Sequence, residues 1–151
     1  MKLNTRLFGP VEYTEHDIIS FPNGLPSFES EHAFLLLPIA GSEDSLYCLQ
    51  SILNPTLSFI LMNPFSLDSG YAPELSPEDR KLLQVEKDQD LCFYVLCAMK
   101  RPVESSTVNM KCPVALNPDI NVALQVILED EHWNMRHPLS QFAAQKEDPN
   151  C

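Results

Sequence analysis

Short apolar runs separated by prolines are the dominant pattern of this chain. Thirteen prolines are spread along its 151 residues. Because proline interrupts both helix interiors and central strands, the elements between the prolines must be short. Many short elements joined by proline-rich turns are typical of an all-β barrel or sandwich. The predicted strands are residues 2–8, 11–13, 18–21, 34–37, 47–52, 58–63, 91–99, 114–117 and 122–128.

Two of these strands are predicted to lie at the centre of the sheet. Residues 58–63 read SFILMN and residues 91–99 read LCFYVLCAM, so apolar side chains would cover both faces of each strand. Residues 122–128 alternate instead, with Val122, Leu124, Val126 and Leu128 on one face. Near the start of the chain, Gly9-Pro10 predicts a hairpin-like turn between the first two strands.

One helix is predicted from its start signal. Ser76 is a good N-cap, Pro77 suits the first helical position, and Asp79 lies where a capping-box acid would. We therefore predict a helix over residues 77–83, with a shorter turn near residues 28–32. The fold class is all-β, mainly antiparallel, in a compact barrel-like single domain with one or two short helices.

The expected domain spans residues 1–139. Residues 140–151 (SQFAAQKEDPNC) offer little for a core, and we expect them to form a flexible C-terminal tail. The chain shows no targeting segment, and its longest apolar run is too short to span a membrane. An odd number of cysteines, five, without a secretory signal predicts reduced thiols in a cytoplasmic protein.

Negative charge is concentrated in the first half of the chain. The net charge is −11, and no lysine or arginine occurs between Leu7 and Asp79. That stretch carries eleven acids, whereas the rest of the chain carries ten acids and ten bases. Such a balance disfavours direct binding to nucleic acid or to an anionic membrane, and favours a basic protein partner. The acids either form an ordinary solvated surface or a contiguous acidic face for a basic protein. Glu43-Asp44, in a predicted loop, is one candidate contact on such a face.

Motifs for metal binding or catalysis are absent from the sequence. Cys92 and Cys97 are five residues apart, as are His132 and His137, and neither spacing is that of a zinc site. Only four glycines occur and they are not clustered, so no phosphate-cradling loop is predicted. The chain also lacks a G-x-S-x-G nucleophile motif. We expect no metal, no cofactor and no enzymatic activity, which leaves binding as the function.

Three motifs have restricted geometry and are candidates for partner binding. In the first, two prolines bracket the turn dipeptide Asn23-Gly24, and the motif is either a core connector or a rigid presented loop. In the second, the polar residue Gln50 lies inside a strand-like run. In the third, Pro113 interrupts the strand-like residues 107–117, which predicts an edge strand or a bulge there. The candidate residues are Phe21, Pro22, Gly24, Leu25, Phe28, Glu29, Gln50, Asn109, Pro113 and Asn117, together with Glu43 and Asp44.

In their order along the chain, these motifs resemble the FliW family of flagellar assembly factors. The corresponding segments are FPNGLPSFE at 21–29, LQS at 49–51, NPTLSF at 54–59 and NMKCPVALN at 109–117. Gln125 with Ile127-Leu128 and the RHPL run at 136–139 also resemble the family's late glutamine strand and its ending. Ser27 stands where the family usually has glycine, and Cys112 where it usually has alanine.

The resemblance implies a compact β-rich, non-catalytic protein that acts in the cytoplasm. Proteins of this family bind flagellin before its export, and they bind CsrA, a small basic dimer that represses flagellin translation. Binding to CsrA, at a site other than its RNA-contacting surface, relieves the repression, and free flagellin reverses this. Two alternatives stay open: a small enzyme with an unrecognised site, and a ligand-binding β-barrel with an apolar internal cavity.

Overall fold

The computed structural model describes residues 1–42 and 45–142. Eleven strands and two short α-helices fall wholly within these residues. The helices are α1 (Pro64–Leu67) and α2 (Pro77–Leu83), and α2 has the bounds that its capping signal predicts. The strands are β1 (Lys2–Thr5), β2 (Gly9–Glu12), β3 (Ile19–Ser20), β4 (Ala33–Pro38), β5 (Leu46–Ser51), β6 (Ser58–Met62), β7 (Cys92–Ala98), β8 (Thr107–Val108), β9 (Val114–Asn117), β10 (Val122–Gln125) and β11 (His137–Pro138).

Seven of the strands close into a barrel. Their order is β7-β6-β5-β4-β3-β10-β9, and β9 pairs back with β7. Every pairing is antiparallel except that of β3 with β10. The first half of β7 completes the barrel with β9, while its second half pairs with β8, which in turn pairs with β11. The predicted all-β, mainly antiparallel, barrel-like fold is confirmed.

The first two strands form a separate hairpin. The predicted turn at Gly9-Pro10 is wrong, because both residues belong to β2 and the turn lies at residues 6–8. Thr5 fixes that turn: its hydroxyl donates to the Gly9 carbonyl at 2.8 Å and accepts from the Phe8 N–H at 2.9 Å. A side chain that supplies both bonds locally moves the turn ahead of the glycine.

The barrel interior is filled with apolar side chains. Residues that lie opposite one another in the ladders share a face, and one face carries Leu49, Leu61, Leu116 and Ala123. Phe21 and Phe34 fill one part of this interior, with their ring centroids 5.2 Å apart. The void among the interior side chains is about 10 Å³, roughly the space of one water. This packing leaves no room for the ligand that the ligand-binding alternative requires.

A second core lies on the outer face of β7, β9 and β10. Phe93 and Val95 of β7 pack there with Leu83 of α2 and with residues of the later loops. Tyr71 anchors this layer, since its buried hydroxyl donates to the Met110 carbonyl at 2.8 Å. The predicted central position of residues 58–63 and 91–99 is confirmed: β6 and β7 pair with each other, and β7 serves both cores.

The sequence pattern did not predict every element of the fold. The helix α1 and the two-residue strands β8 and β11 were not predicted, because each is too short to show a period. Phe142, in the segment predicted as a tail, is only 1 % exposed and packs in the second core. Residues 143–151 of that segment lie outside the described residues, as do Glu43 and Asp44.

Candidate functional site

The loop at residues 21–31 is a chain of tight turns. The Gly24 N–H donates to the Phe21 carbonyl at 2.9 Å, and Gly24 has φ +64°. The turn predicted at Asn23-Gly24 is therefore confirmed, and Gly24 has a positive φ in it. A Cβ at this position would lie 2.6 Å from the Glu29 carbonyl oxygen and 2.7 Å from its Cα. Only glycine fits there, because both the backbone conformation and the close approach of Glu29 exclude a side chain.

A second turn follows directly. The Phe28 N–H donates to the Leu25 carbonyl at 2.7 Å, with Pro26 and Ser27 at the corner. Ser27 has φ +69°, the left-handed conformation that glycine adopts without strain. The Glu29 carboxylate accepts from the Ser27 N–H at 3.2 Å. Serine is thus held in the conformation for which the family's usual glycine is suited.

The 21–31 loop is fastened to the end of β5. The Ser51 hydroxyl donates to the Glu31 carboxylate at 2.8 Å and accepts from the Asn54 N–H at 3.0 Å. Phe28 packs edge-on against Phe59, with ring centroids 5.3 Å apart. These contacts join the first two sequence motifs, which the sequence had shown only as separate segments.

Gln50 holds the connection between β5 and β6. Its side chain is 1 % exposed. Its amide nitrogen lies 3.0 Å from the carbonyl oxygens of Ser51 and Pro55, and 3.2 Å from that of Leu57. A buried amide must find such partners, and here they fix the 51–57 loop. Gln50 therefore shapes the surface without offering its side chain to a partner.

The residues of the third motif serve different elements. The Asn109 side chain accepts from the Cys112 N–H at 2.9 Å, and buried Pro113 accepts from the Val126 N–H at 2.9 Å. Asn117, 4 % exposed, donates to the Leu83 carbonyl at the end of α2 at 2.7 Å. None of these contacts touches the 21–31 loop.

The predicted site residues therefore divide by exposure. Pro22, Phe28 and Glu29 are exposed and can meet a partner directly. The others that the structure describes are buried or partly buried and act on the shape of the surface: Phe21, Gly24, Leu25, Gln50, Asn109, Pro113 and Asn117.

The structure adds a groove that the sequence analysis missed. It runs between residues 72–79 and residues 125–130 and has a volume of about 990 Å³. Its lining includes no lysine or arginine and five acids, namely Glu74, Glu78, Asp79, Glu129 and Asp130. The sequence placed the acidic excess in the first half of the chain, but the fold brings acids of both halves to one groove. The available signal was the Glu129-Asp130-Glu131 run following an apolar strand.

Two cations lie beside the groove. Arg80 donates to the Asp88 carboxylate from two of its guanidinium nitrogens, Nε at 3.0 Å and Nη2 at 3.2 Å. Lys111 donates to the Asp130 carbonyl at 3.1 Å, and neither cation lines the groove. Hydrogen bonds from the backbone N–H and then the ring of His132 hold the pKa of Asp130 below its ordinary value. The groove lining itself therefore carries acids and no lysine or arginine, beside apolar residues such as Leu75 and Ile127.

Three of the described cysteines have thiols whose pKa values are altered by burial. Burial raises the pKa values of Cys48, Cys97 and Cys112, so these thiols are weak nucleophiles at neutral pH. Within residues 1–42 and 45–142 no three His, Cys, Asp or Glu side chains are grouped as a metal site would require. The same residues contain no helix long and apolar enough to cross a bilayer.

Comparison with known proteins assigns the family. The sequence model of the FliW protein family matches residues 2–139, almost the whole described chain. This chain belongs to the FliW family. The predicted resemblance is therefore confirmed, and the matched span includes every segment on which the motifs were found.

Relatives of the FliW family match the chain over nearly their full length. The flagellar assembly factor FliW of Syntrophomonas wolfei is 36 % identical over 141 residues, which is 93 % of this chain and 90 % of that protein. That of Caldanaerobacter subterraneus is 33 % identical over 139 residues, 92 % of this chain and 93 % of that protein. A crystal structure of the flagellar assembly factor FliW superposes with a TM-score of 0.84 at 32 % identity, covering 92 % of this chain and 96 % of that one.

Proposed function

We propose that this chain is a non-catalytic cytoplasmic factor that binds flagellin and antagonises CsrA, so that flagellin translation is no longer repressed. Membership of the FliW family, whose relatives are named flagellar assembly factors, supports the role in flagellar assembly. The observation that carries the choice of a basic partner is the acidic groove, with five acids and no lysine or arginine in its lining.

The net charge of −11 separates two routes to this effect. A strongly acidic protein repels RNA phosphates, so it acts on CsrA and not on the messenger. It could compete for the basic RNA groove of CsrA, or bind elsewhere and weaken RNA binding indirectly. We favour the second route, which the family resemblance implies.

A titration distinguishes the two routes. Binding at a separate site lowers the RNA affinity of CsrA to a limiting value, because the coupling free energy between two sites is fixed. We expect the apparent Kd of CsrA for a labelled RNA to rise with this protein and then reach a plateau. An apparent Kd that climbs in proportion to the added protein establishes competition.

Flagellin supplies the second arm of the experiment. Adding it to the saturated mixture should restore RNA binding by CsrA, because flagellin withdraws this protein. RNA binding that never changes when this protein is added would overturn the proposed function. RNA binding that falls but is not restored by flagellin would remove flagellin from the proposal and leave the action on CsrA.

A further inference from the structure

The groove contains an unpaired strand edge. The ladder between β9 and β10 continues past the end of β10, since the N–H groups of Val126 and Leu128 donate to the carbonyls of Pro113 and Lys111, both at 2.9 Å. Backbone groups of successive residues in a strand point to opposite sides. The N–H and C=O groups of Gln125, Ile127 and Glu129 therefore point away from β9.

On that other side the neighbouring strand ends early. β3 pairs with β10 at a single position, Ser20 with Val122, where the Ser20 N–H donates to the Asn121 carbonyl at 2.9 Å. The chain then turns away, and the Phe21 N–H donates to the His32 carbonyl. Among the described residues, the N–H groups of Ile127 and Glu129 make no hydrogen bond.

An apolar side chain lies open at this edge. Val126 and Leu128 are buried in the second core at 3 % and 2 % exposure, but Ile127 between them is 69 % exposed. An exposed strand edge with a free apolar side chain is a template for strand addition by another chain. A volume of about 990 Å³ along this edge is at the upper end for ligand clefts in proteins.

The charges select the occupant. A second copy would bring acids against the same acids, since Glu129 ends the edge, Asp130 follows it, and Glu78 and Asp79 line the opposite wall. Like charges in such a position oppose pairing. A basic segment would instead be attracted to every wall of the groove.

We propose that this groove binds an extended basic segment of a partner protein, which adds as a strand to residues 125–129. In this mode main-chain hydrogen bonds supply affinity, and alternate side chains supply specificity. An apolar residue of the segment packs on Ile127, and its lysines or arginines, on the opposite face of the added strand, face Glu78 and Asp130. The inference goes beyond the proposed function, because it assigns a binding mode that follows from the strand edge whichever partner provides the segment.

A synthetic peptide tests the binding mode. The probe is the capped heptapeptide KVKIKVK, and the readout is hydrogen exchange of single amides by NMR on the full chain. We expect the Ile127 and Glu129 amides to exchange freely without peptide and to become at least tenfold slower when it is bound. Binding of the peptide without this protection would overturn strand addition.

A matched peptide separates main-chain bonding from charge attraction. Two further heptapeptides carry backbone N-methyl groups, one on the odd-numbered residues and one on the even-numbered residues. Each keeps every charge but loses the N–H donors on one edge of the extended peptide. We expect one of these two peptides to lose binding. Equal binding of both, or equal binding of the acidic peptide EVEIEVE, contradicts the proposal.

Two variants test the side-chain contact. Ile127→Thr keeps the branched shape but reduces the apolar surface, and should weaken peptide binding by about fivefold. Ile120→Thr is the control, because Ile120 is also exposed, at 42 %, but does not line the groove. Equal loss in both variants would contradict the assigned position of the segment.

The free protein reveals other occupants. Protection of the Ile127 and Glu129 amides before any peptide is added, independent of protein concentration, would mean that the chain's own C-terminal residues fill the edge. Protection that increases with protein concentration would mean a second copy. Either result overturns the proposal. The assay contains neither CsrA nor flagellin, so its failure is distinct from failure of the proposed function.

Discussion

Gly24 is the residue on which the 21–31 loop depends. It has the same φ, +64°, as Gly9, but a Cβ on Gly9 would meet nothing within 4 Å, whereas on Gly24 it would meet the Glu29 backbone. The two glycines therefore separate the effect of backbone strain from that of collision.

We predict that Gly24→Val, and the milder Gly24→Ala, lower the free energy of unfolding by on the order of 1–3 kcal/mol, because of strain at positive φ and collision with Glu29. Gly9→Ala is the control, and its unfolding free energy should fall only by the contribution of backbone strain, because no atom lies within 4 Å of the added Cβ. Urea denaturation gives both values. Equal losses of unfolding free energy at the two positions would show that the Glu29 backbone shifts to accommodate the Cβ at no energetic cost.

At Ser27 we predict the opposite effect on stability, because here the substitution introduces a glycine. Its left-handed φ of +69° costs a non-glycine residue about 1–2 kcal/mol, and glycine loses roughly 0.5–1 kcal/mol more chain entropy on folding. Ser27→Gly should therefore stabilise the protein by up to about 1 kcal/mol, measured as a rise in Tm. Ser30→Gly, in the same loop but without positive φ, should lower Tm. A lower Tm in Ser27→Gly would refute the assigned strain.

At the scale of elements, α2 shows how a short helix is maintained. Seven residues are too few for a stable isolated helix, so tertiary contacts must hold it. Ser76 accepts from the Asp79 N–H at 3.2 Å at one end, and Asn117 donates to the Leu83 carbonyl at 2.7 Å at the other. Because Pro77, Glu78 and Asp79 line the groove, these contacts also position one of its walls.

We predict that Asn117→Ala destabilises the protein by about 1–3 kcal/mol, because it leaves the buried Leu83 carbonyl without a donor. Amide exchange in α2 should accelerate with it. Asn54→Ala removes only an exposed contact with Thr56, 2.8 Å long, and should change stability by less than about 0.5 kcal/mol. A loss in Asn117→Ala no larger than this would mean that the Asn117 contact does not hold α2.

At the scale of the whole molecule, the net charge of −11 determines how it meets a basic partner. Attraction of this kind accelerates association and is screened over about 10 Å at 0.1 M salt. We predict that association with CsrA slows by at least about tenfold between low and high salt, measured by stopped flow. A rate that does not change with salt would rule out an electrostatic face.

Charge reversals locate that face. Glu78→Lys with Asp79→Lys alters the groove. Glu43→Lys with Asp44→Lys alters the candidate contact named from the sequence, with the same change of four in net charge. We expect the groove pair to slow association more. A larger effect of the loop pair would return the contact to residues 43–44.

The sequence by itself determined the elements whose cause is local. The capping signal at Ser76-Pro77, the turn at Gly24 and the apolar run of β7 are each contained in consecutive residues. Each of these elements forms where the sequence predicts it. The family motifs are equally local, so they identify the family from the sequence alone.

Only the tertiary structure decided what depends on distant residues. The early end of β3 leaves the edge of residues 125–129 open, and barrel closure sets that edge opposite α2, some fifty residues earlier in the chain. The burial of Gln50 and Asn117 likewise follows from carbonyl groups that other segments bring to them. A sequence pattern records which side chains prefer burial or exposure, but not which backbone groups remain unpaired once the barrel has closed.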